Sequence, residues 1–161
     1  ATIDGRPALD VFKDDIGEAL ARDLNRVGGH IFAGLPIPGS DTGDYVVRNL
    51  VGIDPTNNLV AIGELIEPGG SIMFCRRDGS TAHDDMARML ESIRQGLYSQ
   101  PRGGVYYSCL GRGASLFGPD SEELKMIHAA LGDFPLVGFF CNGEISHNRL
   151  YGYTGVLTLF V

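Results

Sequence analysis

The 161-residue chain has no tryptophan and only three cysteines, an odd number at positions 75, 109 and 141, each inside an apolar strand-like run. That wide spacing, with no CxxC pair and no histidine-rich partner nearby, argues against a zinc site and suits a reducing cytoplasm. Basic residues are in deficit: 13 Lys+Arg stand against 20 Asp+Glu, for a net charge of −7. Such a chain repels phosphate backbones, and no local basic patch offsets the repulsion, so a nucleic-acid partner is not expected. No apolar run approaches the roughly 18 residues of a membrane span, so no membrane insertion is expected. No signal-peptide pattern opens the chain at Ala1-Thr2, and no repeat of 20–50 residues stands out.

What the chain has in excess is glycine. There are 23, about 14% of residues against a usual value of about 7%. They fall between apolar runs, which reads as short strands joined by tight turns. A hydrophobic content of 43% with 20% charged residues is that of an ordinary globular protein, and the length fits a single domain, 1–161, with a sizeable core.

Periodicity supplies the elements. Residues 1–5 read as a short strand into an Asp4-Gly5 turn. Leu9, Phe12, Ile16, Leu20, Leu24 and Val27 recur at helical spacing, predicting one helix over 8–27 that stops at Gly28-Gly29. His30–Leu35 reads as a strand running into a loop at 36–43. Three further runs, 45–53, 59–66 and 71–77, carry turn chemistry between them and read as an antiparallel meander. Gly79-Ser80-Thr81 offers hydroxyls to cap a helix whose inner face holds Met86, Met89, Leu90, Ile93 and Leu97. His83, in its first turn, reads as exposed. A strand at 105–107, a helix over 120–131 with Leu124, Ile127 and Leu131 inward, and strands at 136–141 and 156–161 complete the order. His128 reads as a packing residue beside that helix's inner face. Helices alternate irregularly with strands, which predicts an α+β fold: a largely antiparallel or mixed sheet with about three helices packed on it.

One stretch carries chemistry. Ser108-Cys109-Leu110-Gly111-Arg112-Gly113-Ala114-Ser115 follows an apolar strand, and its glycines let backbone N–H groups come close to something else. An arginine held between glycines suits a carboxylate or another anion. A second glycine-rich passage, Asn142-Gly143-Glu144, ends a later strand. Arg112 and Ser115 on one loop with Asn142 and Glu144 on the other fit a zwitterion, the guanidinium taking a carboxylate and Glu144 an ammonium. The same residues fit a structural Arg112–Glu144 ion pair that binds nothing. Arg48 shares an apolar strand face with Val46 and Leu50, so it either adds a second cation to the site or is paired within the fold, with Glu64 as a candidate. Cys109 and Cys141 are candidate nucleophiles only if a base reaches them, and His147 is the nearest in sequence.

The combination Ser108-Cys109-x-Gly111-Arg112-Gly113, Leu116-Phe117-Gly118, Pro135-Leu136-x-Gly138-Phe139-Phe140 and Gly143-Glu144-Ile145 resembles the C-terminal half of FIST proteins. The opening Ile3-Asp4-Gly5-Arg6-Pro7-Ala8 and the strand Tyr45-Val46-Val47-Arg48 are similar in style. The resemblance implies a non-catalytic, ligand-sensing domain of a cytoplasmic signal-transduction protein, with amino acids or similar small metabolites as ligands. It also implies a longer protein, with an N-terminal FIST half or an output domain as partner and a homodimer as an alternative. Haem-based nitric-oxide sensing is a second possibility the resemblance raises, with His30, His83, His128 and His147 as candidate iron ligands. A protein-interaction module, as in F-box proteins, is a third.

Overall fold

The computed structural model describes residues 1–39 and 45–161 and has an α+β fold, with helices packed on antiparallel and mixed sheets. The chain divides into two units, Ala1–Arg77 and Asp78–Val161.

In the first unit, Thr2–Ile3 (β1) and Arg6–Pro7 (β2) pair antiparallel across the Asp4-Gly5 turn. The helix expected over 8–27 is interrupted. Ala8–Ile16 (α1) ends at Gly17, whose φ of 81° lies in a region that glycine enters without steric cost. Glu18–Ala21 (α2) and a 3-10 turn at Leu24–Arg26 follow. The apolar stripe still does its work: Leu9 and Phe12 are fully buried and pack with Val27 and Ile31. The sheet comprises Ile31–Pro36 (β3), Tyr45–Asp54 (β4), Leu59–Ile62 (β5) and Met73–Arg76 (β6), in the spatial order β5-β4-β3-β6. The expected meander holds for β4 and β5. Their turn is set by Asp54, whose carboxylate accepts the Thr56 and Asn57 backbone N–H groups at 2.9 and 3.1 Å. The third run does not continue it, because β6 pairs with β3 instead. β3 is buried from Ile31 to Gly34 and needs ladder partners on both edges, and pairing there seats Phe74 edge-on to Phe12 at 4.8 Å. Of the loop expected at 36–43, residues 40–43 lie outside the described residues.

The second unit opens with Gly79–Gly96 (α3). Its cap is Asp78, two residues before the first of the expected hydroxyls. The Asp78 carboxylate accepts the Thr81 backbone N–H at 3.2 Å, and the Ser80 hydroxyl donates to it at 2.5 Å. Gly103–Cys109 (β7), a single turn Ala114–Phe117 (α4), Glu122–Leu131 (α5) and Leu136–Cys141 (β8) follow. Glu144–Ser146 (β9) and Arg149–Tyr151 (β10) form a separate hairpin, and Gly155–Phe160 (β11) returns to the sheet. The order is β11-β7-β8, with β7 antiparallel to β11 and parallel to β8. Tyr106 and partly buried Leu136, Leu157 and Leu159 join a core with Met86 and Leu90 of α3 and Ile127 and Leu131 of α5. By the period of two, Tyr107, Val137, Phe139, Val156 and Phe160 share the opposite sheet face, where Val137, Phe139 and Phe160 are all more than half exposed. Among the described residues no helix is long and apolar enough to cross a membrane.

Candidate functional site

The polar centre of the second unit is a buried carboxylate, that of Glu123 in the first turn of α5. Glu123 is 5% exposed, and its two oxygens collect hydrogen bonds from four donors. Oε1 accepts from the Tyr106 hydroxyl at 2.7 Å and from Arg112 Nε at 2.8 Å. Oε2 accepts from the Ser108 hydroxyl at 3.1 Å and from the Gly113 backbone N–H at 3.2 Å. Burying a carboxylate is costly unless it is paired and hydrogen-bonded, and here both conditions are met.

Local sequence sets up each donor. Tyr106 and Ser108 lie two apart on β7, so both face α5. Gly113 has a φ of 56°, which turns its N–H toward the carboxylate, and a Cβ there would come within about 3.0 Å of the Phe140 ring. Arg112 is held on a second side by Phe117, with the guanidinium carbon 4.7 Å from the ring centroid. Burial and, after it, the hydrogen bond to Glu123 push the Tyr106 phenol up to about 12. The neutral phenol is therefore the form that the fold prefers. Unfolded tyrosine titrates near pH 10. The stability contributed by this shift is fully present below about pH 10 and drains away as the pH rises to about 12. Denaturation midpoints measured from pH 9 to 12 are expected to fall across that window, and Tyr106→Phe is expected to flatten the fall.

Arg112 therefore pairs with Glu123, not with Glu144. Glu144, at the start of β9, is 8% exposed and accepts from the Thr154 hydroxyl and, at 3.0 Å, from the Cys141 thiol. That hydrogen bond, more than burial, pushes the Cys141 thiol up from its ordinary value. Ser115 is exposed and donates its hydroxyl to the Arg112 carbonyl at 3.0 Å, and Asn142 is exposed. Arg48 belongs to the first unit and pairs with Glu64 at 2.9 Å while donating to the Val47 carbonyl at 3.0 Å. No histidine serves the candidate nucleophiles as a base among the described residues: His147 sits exposed in the β9–β10 turn, and no hydrogen bond joins a histidine to Cys109 or Cys141.

Glu123 is the residue that sequence reasoning missed. The expected inner stripe of this helix runs through Leu124, but Leu124 is 40% exposed and Glu123 takes the inward place. A signal was available, since 123, 127 and 131 lie on one row of i, i+4 spacing. An acid in a helix's first turn is ordinarily read as a solvated dipole partner, which hid it.

Beside this cluster lies a cavity of about 630 Å³, bounded by α4, the start of α5 and β8. Leu124, Leu136 and Phe140 supply apolar wall, Ser108 and Glu123 lie at its polar side, and Asp120, Ser121 and Glu122 form its acidic rim. Glu122 is paired with Lys125 at 2.7 Å, whereas Asp120 has no hydrogen-bond or ion-pair partner among the described residues. Haem iron needs an axial ligand. No histidine or cysteine lines this cavity, and the hydroxyl of its Tyr106 is committed to Glu123. His83 is part-buried, not exposed as expected, with Nε2 at 3.2 Å from the Phe117 carbonyl, and His128 Nδ1 is 3.3 Å from that of Gly132. The residues lining the cavity do not fit a haem.

Comparison with known proteins adds the family. An uncharacterized protein of Mycobacterium tuberculosis is 36% identical over 168 residues, covering 98% of this chain and 43% of the relative. An uncharacterized protein of Mycobacterium bovis is 33% identical with the same coverage. The chain thus spans less than half the length of the curated relatives it matches. No solved structure matches it. The FIST C domain family matches residues 8–147, taking in most of the sequence. This chain belongs to the FIST C domain family.

Proposed function

We propose that the domain senses a small zwitterionic metabolite of the amino-acid type, held in the cavity between α4, α5 and β8. The observation that carries this reading is the cavity itself. Its volume of about 630 Å³ is that of a small-molecule site, and its lining is mostly apolar with a few polar groups at one end. Asp120 is the group left to meet an ammonium. The Ser121 hydroxyl, which caps no backbone N–H, and the N–H groups of α5's first turn are the groups left to meet a carboxylate. The ligand's side chain would lie among Leu124, Leu136 and Phe140. Arg112 and Glu123 act one step back on this reading: they fix the loop that forms the wall.

A protein-interaction role is supported by a different observation, the uncharged sheet face of Val137, Phe139, Val156 and Phe160. Contiguous exposed apolar surface of this kind marks contact sites. On our reading this face passes the signal to the rest of a longer protein, because β8 borders the cavity with one side and belongs to that face with the other.

Thermal unfolding against amino acids and against their amine-only and acid-only analogues tests the ligand. A ligand that binds only the folded form adds about 2.7 kcal/mol at a hundred times its Kd. A saturable rise in Tm with an intact amino acid, lost in Asp120→Asn and weaker with either analogue, is expected. If no amino acid moves the Tm, or if Asp120→Asn responds unchanged, the reading fails.

A further inference from the structure

We propose that Cys109 and Cys141 form a redox-sensitive thiol pair that closes to a disulfide when a peroxide reaches the domain. The inference does not depend on what occupies the cavity. The two residues are direct partners in the parallel register of β7 and β8, at the last position of each strand. Paired residues of neighbouring strands point to the same face. Two positions back, Tyr107 and Phe139 confirm that face by meeting edge to face at 4.9 Å. Neighbouring strands lie about 4.8 Å apart, inside the window of about 4.4–6.8 Å between Cα atoms that a disulfide spans. The Cys141 sulfur also leans toward β7: it lies 3.7 Å from the carbonyl oxygen of Ser108, in the peptide that leads into Cys109. Both thiols are free, and the loops that begin at Leu110 and Asn142 let the strand ends adjust.

Their surroundings assign the roles. Cys141 is partly exposed and meets the oxidant, while Cys109, 7% exposed, resolves the product. The Glu144 carboxylate, 3.0 Å from the Cys141 sulfur, is placed to accept the thiol proton. The Cys141 thiolate attacks one peroxide oxygen; a S–O bond forms, the O–O bond breaks, and the departing hydroxide takes up the thiol proton as water. The Cys109 thiolate then attacks the sulfenic sulfur; a S–S bond forms, the S–O bond breaks, and the second hydroxide leaves as water with the Cys109 proton. Two thiols lose two electrons and two protons, and hydrogen peroxide is reduced to two waters.

Oxidation removes a donor from Glu144, leaving it the Thr154 hydroxyl. Glu144 opens the β9–β10 hairpin and Thr154 precedes β11, so the thiol state is coupled to how that hairpin is held.

The test treats the full chain with hydrogen peroxide, blocks remaining thiols by alkylation, and maps peptides without reduction. A Cys109–Cys141 linked peptide lighter by two hydrogens, reversed by dithiothreitol, with Cys75 recovered alkylated, is expected. Cys75→Ser should retain the link, and Cys109→Ser and Cys141→Ser should abolish it. Hydrogen exchange in 144–151 should quicken in the oxidised form. Over-oxidation of Cys141 without a link, or a link to Cys75 or between two chains, overturns the proposal.

Discussion

Glu123→Ala is expected to lower the stability of the Asp78–Val161 unit by about 3–5 kcal/mol, the cost of breaking a buried ion pair from one side. The substitution leaves four donors facing a void: the Tyr106 and Ser108 hydroxyls, Arg112 Nε and the Gly113 N–H. Arg112 is the costliest of these, because its side chain is 13% exposed and, with Glu123 gone, it keeps the Phe117 ring and the Met86 sulfur at 3.9 Å, neither of which carries a negative charge. A fall in Tm of about 12 °C or more should follow for a unit of this size. Adding Arg112→Met to Glu123→Ala removes the orphaned charge and should recover part of the loss, since an apolar pair in place of a buried ion pair is often close to neutral. Full recovery is not expected, because the two hydroxyls and the Gly113 N–H stay unsatisfied at about 1–3 kcal/mol each when buried. A change in Tm of under about 2 °C for Glu123→Ala would show that the carboxylate is not what ties β7, the arginine loop and α5 together.

That result bears on function through position. Glu123, Tyr106, Ser108 and Gly113 all border the cavity, so the same hydrogen bonds that stabilise the unit also fix one wall of its pocket. A ligand contact there would be felt by the arginine loop without Arg112 touching the ligand.

Most elements were legible because their signals are local. Leu9 and Phe12, Met86 and Leu90, and Ile127 and Leu131 lie at helical spacing and are buried together in cores. The apolar runs read at 30–35, 105–107 and 136–141 are the strands Ile31–Pro36, Gly103–Cys109 and Leu136–Cys141. What depended on pairing at a distance was not legible. The place of β6 beside β3 is decided by Phe74 reaching Phe12, and no turn signal encodes it. Arg112 had two carboxylates within sequence reach of a glycine-rich loop. The choice between Glu123 and Glu144 rests on β7 presenting Tyr106 and Ser108 to α5, which fixes Glu123 before Arg112 arrives. The Arg48–Glu64 pair was foreseeable because a buried-face arginine needs a partner and the next strand run holds one at residue 64.

Gly138→Ala is the second large effect expected, and it separates the pocket wall from the carboxylate cluster. Gly138 is the register partner of Tyr106 in the parallel ladder of β7 and β8. A Cβ at this position would run into the Tyr106 carbonyl oxygen and come within 2.7 Å of its carbon and 3.1 Å of its nitrogen. The obstacle is backbone and cannot rotate aside, and β7 cannot retreat because β11 is paired on its other edge. The strand that must move is therefore β8, which has no partner on its outer edge among the described residues. A cost of about 3 kcal/mol is expected, at the upper end for overpacking a well-packed site. Hydrogen exchange should rise most in 136–141 while α3 and α5 keep most of their protection, since Met86, Leu90 and Ile127 share their core with Phe117, Leu131, Phe134, Leu157 and Leu159 as well as with Leu136 of β8. Gly152→Ala is the matched control: nothing lies within 4 Å of a Cβ there and its backbone is not left-handed, so a change within about 0.5 kcal/mol is expected. Equal losses in the two variants would mean that close approach of β8 to Tyr106 is not what positions Phe140 and the cavity wall.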